Sequence, residues 1–244
     1  MKDNICLKYQ YTIFGDFSDI APEKSEIIIR LMKLFPNENF IPASFQELSM
    51  DQIPPRIDNR ISLTNSDGLC INIGKNRVDV EINYLEDGKY CAMDINEITK
   101  KAQKLISELM GEFGKTCNRL AVNIIKLMNE EKSNIIIDKF KDTKNIFDYY
   151  ESNEPFEWNE RFVSKIDSEK IGEPINVITS VSKSNGILTT PKNTIQIDGI
   201  MLQFDINTLP TNVNYRFSKD IIGDFFEDAI KEEEKIEKEI DKRN

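Results

Sequence analysis

The 244-residue chain contains no histidine. Histidine is the side chain whose ordinary pKa lies nearest neutrality, the commonest general base and the commonest ligand of transition metals. Its absence excludes Ser-His-Asp and Cys-His hydrolysis, histidine-ligated zinc and phosphohistidine chemistry within this chain. Long apolar runs are missing too. Nothing approaches the roughly 20 residues that a bilayer-spanning helix needs, and Met1-Lys2-Asp3-Asn4 does not begin a basic-then-apolar leader. A cytoplasmic protein without membrane association is therefore the expectation. The four cysteines, Cys6, Cys70, Cys91 and Cys117, form no C-x-x-C pair, so buried reduced thiols are expected rather than zinc or a redox dithiol. Their even number leaves a disulfide open by arithmetic.

Positive charge is in short supply: 32 Lys and Arg stand against 42 Asp and Glu, a net charge of -10. Neutralising phosphates requires clustered Lys and Arg, so direct binding to nucleic acid is not expected. A strongly acidic surface suits steering towards a basic protein instead.

What is present is alternation. In residues 60–84, Ile61 and Leu63, then Leu69, Ile71 and Ile73, then Val78, Val80, Ile82 and Tyr84 alternate with polar residues, which predicts three antiparallel strands. Ser66-Asp67-Gly68 and Gly74-Lys75-Asn76 supply turn residues that tolerate positive φ. Upstream, residues 5–17 read as a strand ending at Gly15-Asp16. A helix carrying Ile27, Ile28, Leu31 and Leu34 follows, with Pro22 in its first turn, and residues 40–48 are extended.

Asp94 and Glu97 form a capping-box pattern ahead of a stripe of Ile95, Ile98, Ala102, Leu105, Ile106, Leu109, Met110 and Phe113, and Gly114 ends that helix. Residues 120–127 return as a strand, with a shorter helix expected within 135–150. Polar residues 151–155 mark a boundary. Beyond it come extended stretches at 156–166, 175–183 and 195–206, then a helix from about Ser218 with Ile221, Ile222, Phe225, Phe226, Ala229 and Ile230 on one face.

The fold class is therefore α+β. Two three-stranded meanders build mainly antiparallel sheet, each followed by an amphipathic helix that packs on it. A lobe over 1–150 and one over 151–244 are expected, adjoining or merged into one continuous domain.

Short motifs point to chemistry that their context removes. Gly114-Lys115-Thr116 resembles the end of a phosphate-binding loop, but Leu109 stands where the first glycine belongs and the triplet follows a helix rather than opening one. Ser180-Val181-Ser182-Lys183 is an S-x-x-K in a strand, and no K-T-G accompanies it. Asp79 and Glu81 on one strand face are the weak catalytic candidates. A carboxylate pair can hold Mg²⁺ in a nuclease without histidine, although Asn83 stands where such enzymes carry a basic residue. Asp198 and Asp205 fall on opposite faces. No cofactor or resident metal is expected.

The order Arg60-Ile-Ser-Leu-Thr-Asn-Ser-Asp-Gly68, Gly74-Lys-Asn-Arg-Val78, a helix, and Asn118-Arg-Leu-Ala-Val122 resembles a sporadically distributed family of uncharacterised prokaryotic proteins, over about residues 60–125. The resemblance brings no established activity. A patchy distribution implies horizontally moved genes, which fits antiviral defence, toxin–antitoxin or phage counter-defence roles.

The functional expectation is a non-enzymatic, acidic protein-interaction module in a phage–host conflict system, with a basic or nucleic-acid-handling protein as partner. The alternative is a Mg²⁺-dependent nuclease using Asp79 and Glu81. Interaction residues are expected on the last helix, at Phe225, Phe226, Ile236 and Ile240, and at Trp158, which alternates with Phe156 and Phe162. Homo-oligomerisation through Ile236 and Ile240 is a further possibility, set against a solvated, fraying tail.

Overall fold

The computed structural model describes residues 4–49, 54–83, 93–129, 133–137, 152–153, 155–189 and 194–242. Among these residues nine strands form one antiparallel sheet: β1 (Ile5–Phe14), β2 (Ile41–Ser49), β3 (Arg56–Thr64), β4 (Leu69–Ile73), β5 (Arg77–Asn83), β6 (Arg119–Leu127), β7 (Trp158–Ser168), β8 (Glu173–Thr189) and β9 (Thr194–Thr208). Their order is β2-β3-β4-β5-β1-β6-β9-β8-β7. The first strand of the chain thus lies near the middle, where Tyr11 pairs with Val80 on one side and Val122 on the other. The β6–β9 pairing joins strands from both sides of residues 151–155 in the same sheet.

The turns follow their chemistry. Asn65 Oδ1 accepts from the backbone N–H groups of Asp67 and Leu69, and Gly68 takes φ +80°, which closes β3 onto β4. Gly74 N–H donates to the Arg77 carbonyl across a tight turn at Lys75 and Asn76.

Three helices, α1 (Ser25–Leu34), α2 (Ile95–Phe113) and α3 (Lys219–Lys242), accompany the sheet, with a short helical segment at 133–137. Asp94 caps α2 by accepting from Asn96 N–H at 2.8 Å, and Gly114 ends it at φ +60°. The Gly-Lys-Thr triplet therefore stands at the carbonyl end of a helix. α1 begins at Ser25 rather than at Pro22, because residues 22–24 belong to the turns that follow β1.

Tyr11 shows how the layers meet. It is fully buried, its hydroxyl lies 2.7 Å from Thr99 Oγ1 of α2, and its ring meets Phe226 of α3 edge-on at 5.1 Å. Around it the apolar side of the sheet, including Ile71, Val80, Val122 and Phe204, buries against Leu105, Leu109, Ile222 and Phe225. Gly223 lets the two long helices approach, since the Gln103 amide fills the space that a Cβ at 223 would need. Burying these side chains supplies the main stabilising term, at about 25 cal/mol per Å² of apolar surface removed from water.

The structure corrects the reading of the last helix. Phe225 and Phe226 are fully buried, so they form core and no contact surface. Ile236 and Ile240 pack against this chain's own core. The terminal helix is docked rather than fraying, and a second charge-based reason accounts for it. Lys126 of β6 points under α3, where its Nζ lies 2.5 Å from Glu233 Oε1 and 2.8 Å from Glu237 Oε2. Asn4 donates to the other Glu237 oxygen at 3.0 Å. The expected helix within 135–150, Tyr84 and Cys91 lie largely or wholly outside the described residues.

One ammonium serving two carboxylates leaves a negative charge uncompensated in a buried site. Glu233, 1 % exposed, carries the consequence: burial pushes its carboxyl up to about 7, with Lys126 opposing and Glu237 reinforcing the shift. Glu237 moves the other way, below its ordinary value, because the attraction of Lys126 and bonds from Lys126 and Asn4 outweigh its burial.

A raised acid pKa adds stability that is fully present below the unfolded value of 4.5 and lost as pH rises through about 7. Wild type should thus lose on the order of 2 kcal/mol relative to Glu233→Gln between about pH 5 and pH 8, measured by urea midpoints. Deleting residues 232–244 should cost at least about 2 kcal/mol, because the packing of Ile236 and Ile240 is lost together with both partners of Lys126. An unchanged urea midpoint after the deletion would restore the fraying tail.

Candidate functional site: the polar face of the sheet

From Lys8 to Phe14 the even-numbered side chains of β1, and the odd-numbered ones of β5, β6 and β9, point away from α2 and α3, as the period of two requires, whereas a register shift between Cys6 and Lys8 turns Cys6 into the core. Register lines them up in rows. Asp79, Thr12, Ala121 and Asn207 form one row, and Glu81, Gln10, Asn123 and Asp205 form the next. Asp79 and Glu81 thus share a face, as their spacing in the sequence requires.

Asp79 is 4 % exposed and heavily engaged. Its Oδ1 accepts from Thr12 Oγ1 at 2.6 Å and from Gln10 Nε2 at 2.9 Å, and its Oδ2 lies 3.0 Å from Arg77 Nε. Glu81 pairs with Lys8 Nζ at 2.9 Å and accepts from Asn72 Nδ2 at 3.2 Å. The network continues sideways, with Ser62 donating to Asn72, Asn176 to Asn207, and Asn207 to Asp205. A buried carboxylate is tolerated only when its lone pairs are filled, and here the neighbouring strands fill them.

Two atoms break the pattern. Asn123 Oδ1 and Arg119 Nε are buried with no hydrogen-bond partner, although the Arg119 guanidinium lies 4.7 Å over the Phe14 ring. Among the described residues, no group of three or more Cys, Asp or Glu side chains is placed to hold a metal ion.

Lys8 was invisible to sequence reasoning. It pairs with Asn83 across β1 and β5 and brings to Glu81 the cation that position 83 does not supply. The signal lay in Lys8, Gln10 and Thr12, which alternate within a strand read mainly for its apolar residues. Asp205 holds Asn207 and stands two strands from Gln10, whereas the side chain of Asp198 lies outside the described part. Ser180 and Lys183 sit in β8, as an S-x-x-K nucleophile on a helix would not.

No family model, curated protein or solved structure matches the chain.

The other sequence candidates scatter. Trp158 opens β7 at the far edge of the sheet and packs against the core, while Phe156 and Phe162 are exposed. Cys70 and Cys117 are free thiols, Cys6 is buried in the core, and burial raises Cys117 to about 12, which keeps it protonated and unreactive. No described helix is long and apolar enough to cross a membrane.

If the face is held together by its own ion pairs, Asp79→Ala should destabilise the protein by about 1–3 kcal/mol by leaving Thr12, Gln10 and Arg77 short of an acceptor. Urea unfolding measures this, and a variant as stable as wild type would mean that the carboxylate is held there for another purpose.

Proposed function

We propose that the chain is a non-enzymatic, acidic module that binds a basic or nucleic-acid-handling protein, as a component or inhibitor in a phage–host conflict system. One observation carries the choice of binding over catalysis: each carboxylate of the candidate pair already has its own cation, Arg77 for Asp79 and Lys8 for Glu81. A divalent ion at that pair would have to displace both, and Asp79 would also give up Thr12 and Gln10. The net charge of -10 supports a basic partner. The conflict setting rests on the family resemblance alone, and a cytoplasmic location accompanies it. The same reading treats β3–β5 with α2 and β7–β9 with α3 as two like units, a duplication in architecture.

The nuclease reading has one observation in its favour. Lys8, Asp79 and Glu81 stand on one face, a cation beside two carboxylates, as metal-dependent phosphodiester cleavage uses them.

Two measurements separate the readings. Affinity purification from the native host, with and without infecting phage, is expected to retrieve a specific basic protein, with binding weakened at least tenfold as salt rises from about 50 to 300 mM. The purified chain with Mg²⁺ is expected to leave single- and double-stranded DNA and RNA uncut. Mg²⁺-dependent cleavage that disappears in Glu81→Gln, at unchanged stability, would reverse the assignment.

A further inference from the structure

β7 ends the sheet and has a strand neighbour, among the described residues, on one side only. It pairs with β8 over all eleven of its residues without a register shift, so its outer edge is straight and unbulged. Residues 159–165 are exposed on both faces, with Phe162 at 56 % and Val163 at 53 %. Open edges of this kind are ordinarily shortened, bulged, broken by proline or covered. The opposite edge, β2, carries Pro42, which removes a backbone donor. β7 carries no proline.

Register places Trp158, Phe162 and Ile166 on the helix side of β7, opposite Lys183, Thr179 and Ile175. Trp158 and Ile166 rest against the core, and Phe162 between them stays open. Towards Ser168 the same side becomes acidic. Ser168 Oγ donates to Asp228 Oδ2 at 3.1 Å, and Lys170 Nζ lies 3.5 Å from Asp224, 4.0 Å from Glu227 and 3.9 Å from Asp228. Residues 219–228 hold four acidic side chains and one lysine, so the lysines at 170 and 231 leave a surplus of negative charge beside the strand end. On the polar side, Arg161 and Lys165 flank Val163, which disfavours cations there.

We infer that β7 is a strand-addition site for an extended segment of a partner protein, laid antiparallel to β7. The segment presents Lys or Arg near its start to Asp224, Glu227 and Asp228, and aliphatic side chains to Phe162. Backbone hydrogen bonds supply the general affinity of such an interaction, and the alternating side chains supply its selectivity. The inference rests on the proposed binding function and names the surface that performs it.

The test uses the full chain and a fluorescently labelled nonapeptide, Lys-Thr-Lys-Thr-Val-Thr-Val-Thr-Val, whose odd positions match the helix side. Fluorescence anisotropy should show saturable binding to wild type. Affinity should fall at least tenfold for Phe162→Lys and for Glu227→Lys, both exposed positions whose substitution leaves the fold intact. The peptide with Glu in place of Lys, and one with Pro at its centre, should not bind. The inference is overturned if wild type ignores the basic peptide, if both variants bind it as tightly, or if sedimentation shows a dimer through β7 that the peptide cannot dissociate, since the occupant would then be a second copy. A basic partner retrieved equally well by wild type and Phe162→Lys would leave the proposed function standing and remove this site. Peptide binding at β7 without any basic partner in the host would do the reverse.

Discussion

A sheet whose long helices all contact one side must divide its residues by parity, and most of the structure follows from that constraint. Alternate residues of nine strands supply the apolar wall that α2 and α3 cover, and the residues between them must form a surface that satisfies itself. β1 bears the constraint most heavily because it lies between β5 and β6. Its Tyr11 reaches both long helices, while Thr12, the next residue, closes onto Asp79 on the other side. A one-residue slip of β1 would send both to the wrong environment.

The ion pairs of the two faces solve different problems. On the polar face Asp79 and Glu81 each meet their own cation and neutral donors, so charge and hydrogen bonding balance locally. Under α3 one lysine meets two glutamates, so the balance is incomplete and depends on a proton. That arrangement ties the charged end of α3 to β6, a strand more than a hundred residues earlier. Ile236 and Ile240 then pack where a terminal helix of mostly charged residues would otherwise have little to hold it.

Much of the architecture was legible because its signals are local. The alternation in residues 60–84, the Asp94 cap and Gly114 each specify their own neighbourhood, and the structure places strands and a helix there. What was not legible depended on pairing between distant strands. Nothing in the sequence near β1 says that it inserts between β5 and β6, so Lys8 could not be connected with Glu81. Phe225 and Phe226 misled for a related reason. An apolar helix face reads the same whether it will meet its own sheet or a partner, and only the presence of that sheet beneath it decides. Lys126 was passed over because a single lysine near the end of an apolar strand resembles a strand terminus reaching water.

The two ends of the sheet sharpen the difference between surface and interface. Among the described residues, both β2 and β7 have a strand neighbour on one side only, and both carry exposed aliphatic or aromatic side chains. In β2 those side chains, Ile41 and Leu48, stand at opposite ends of a strand interrupted by Pro42, so they form no continuous line. In β7, Trp158, Phe162 and Ile166 recur at every fourth residue on one face of an unbroken strand, with Glu160 and Ser164 between them, and the acidic start of α3 lies at its end. Composition alone made the whole surface acidic. Topology concentrates spaced apolar side chains, a backbone edge and surplus negative charge in one place, and recognition of an extended basic segment needs that coincidence rather than the average.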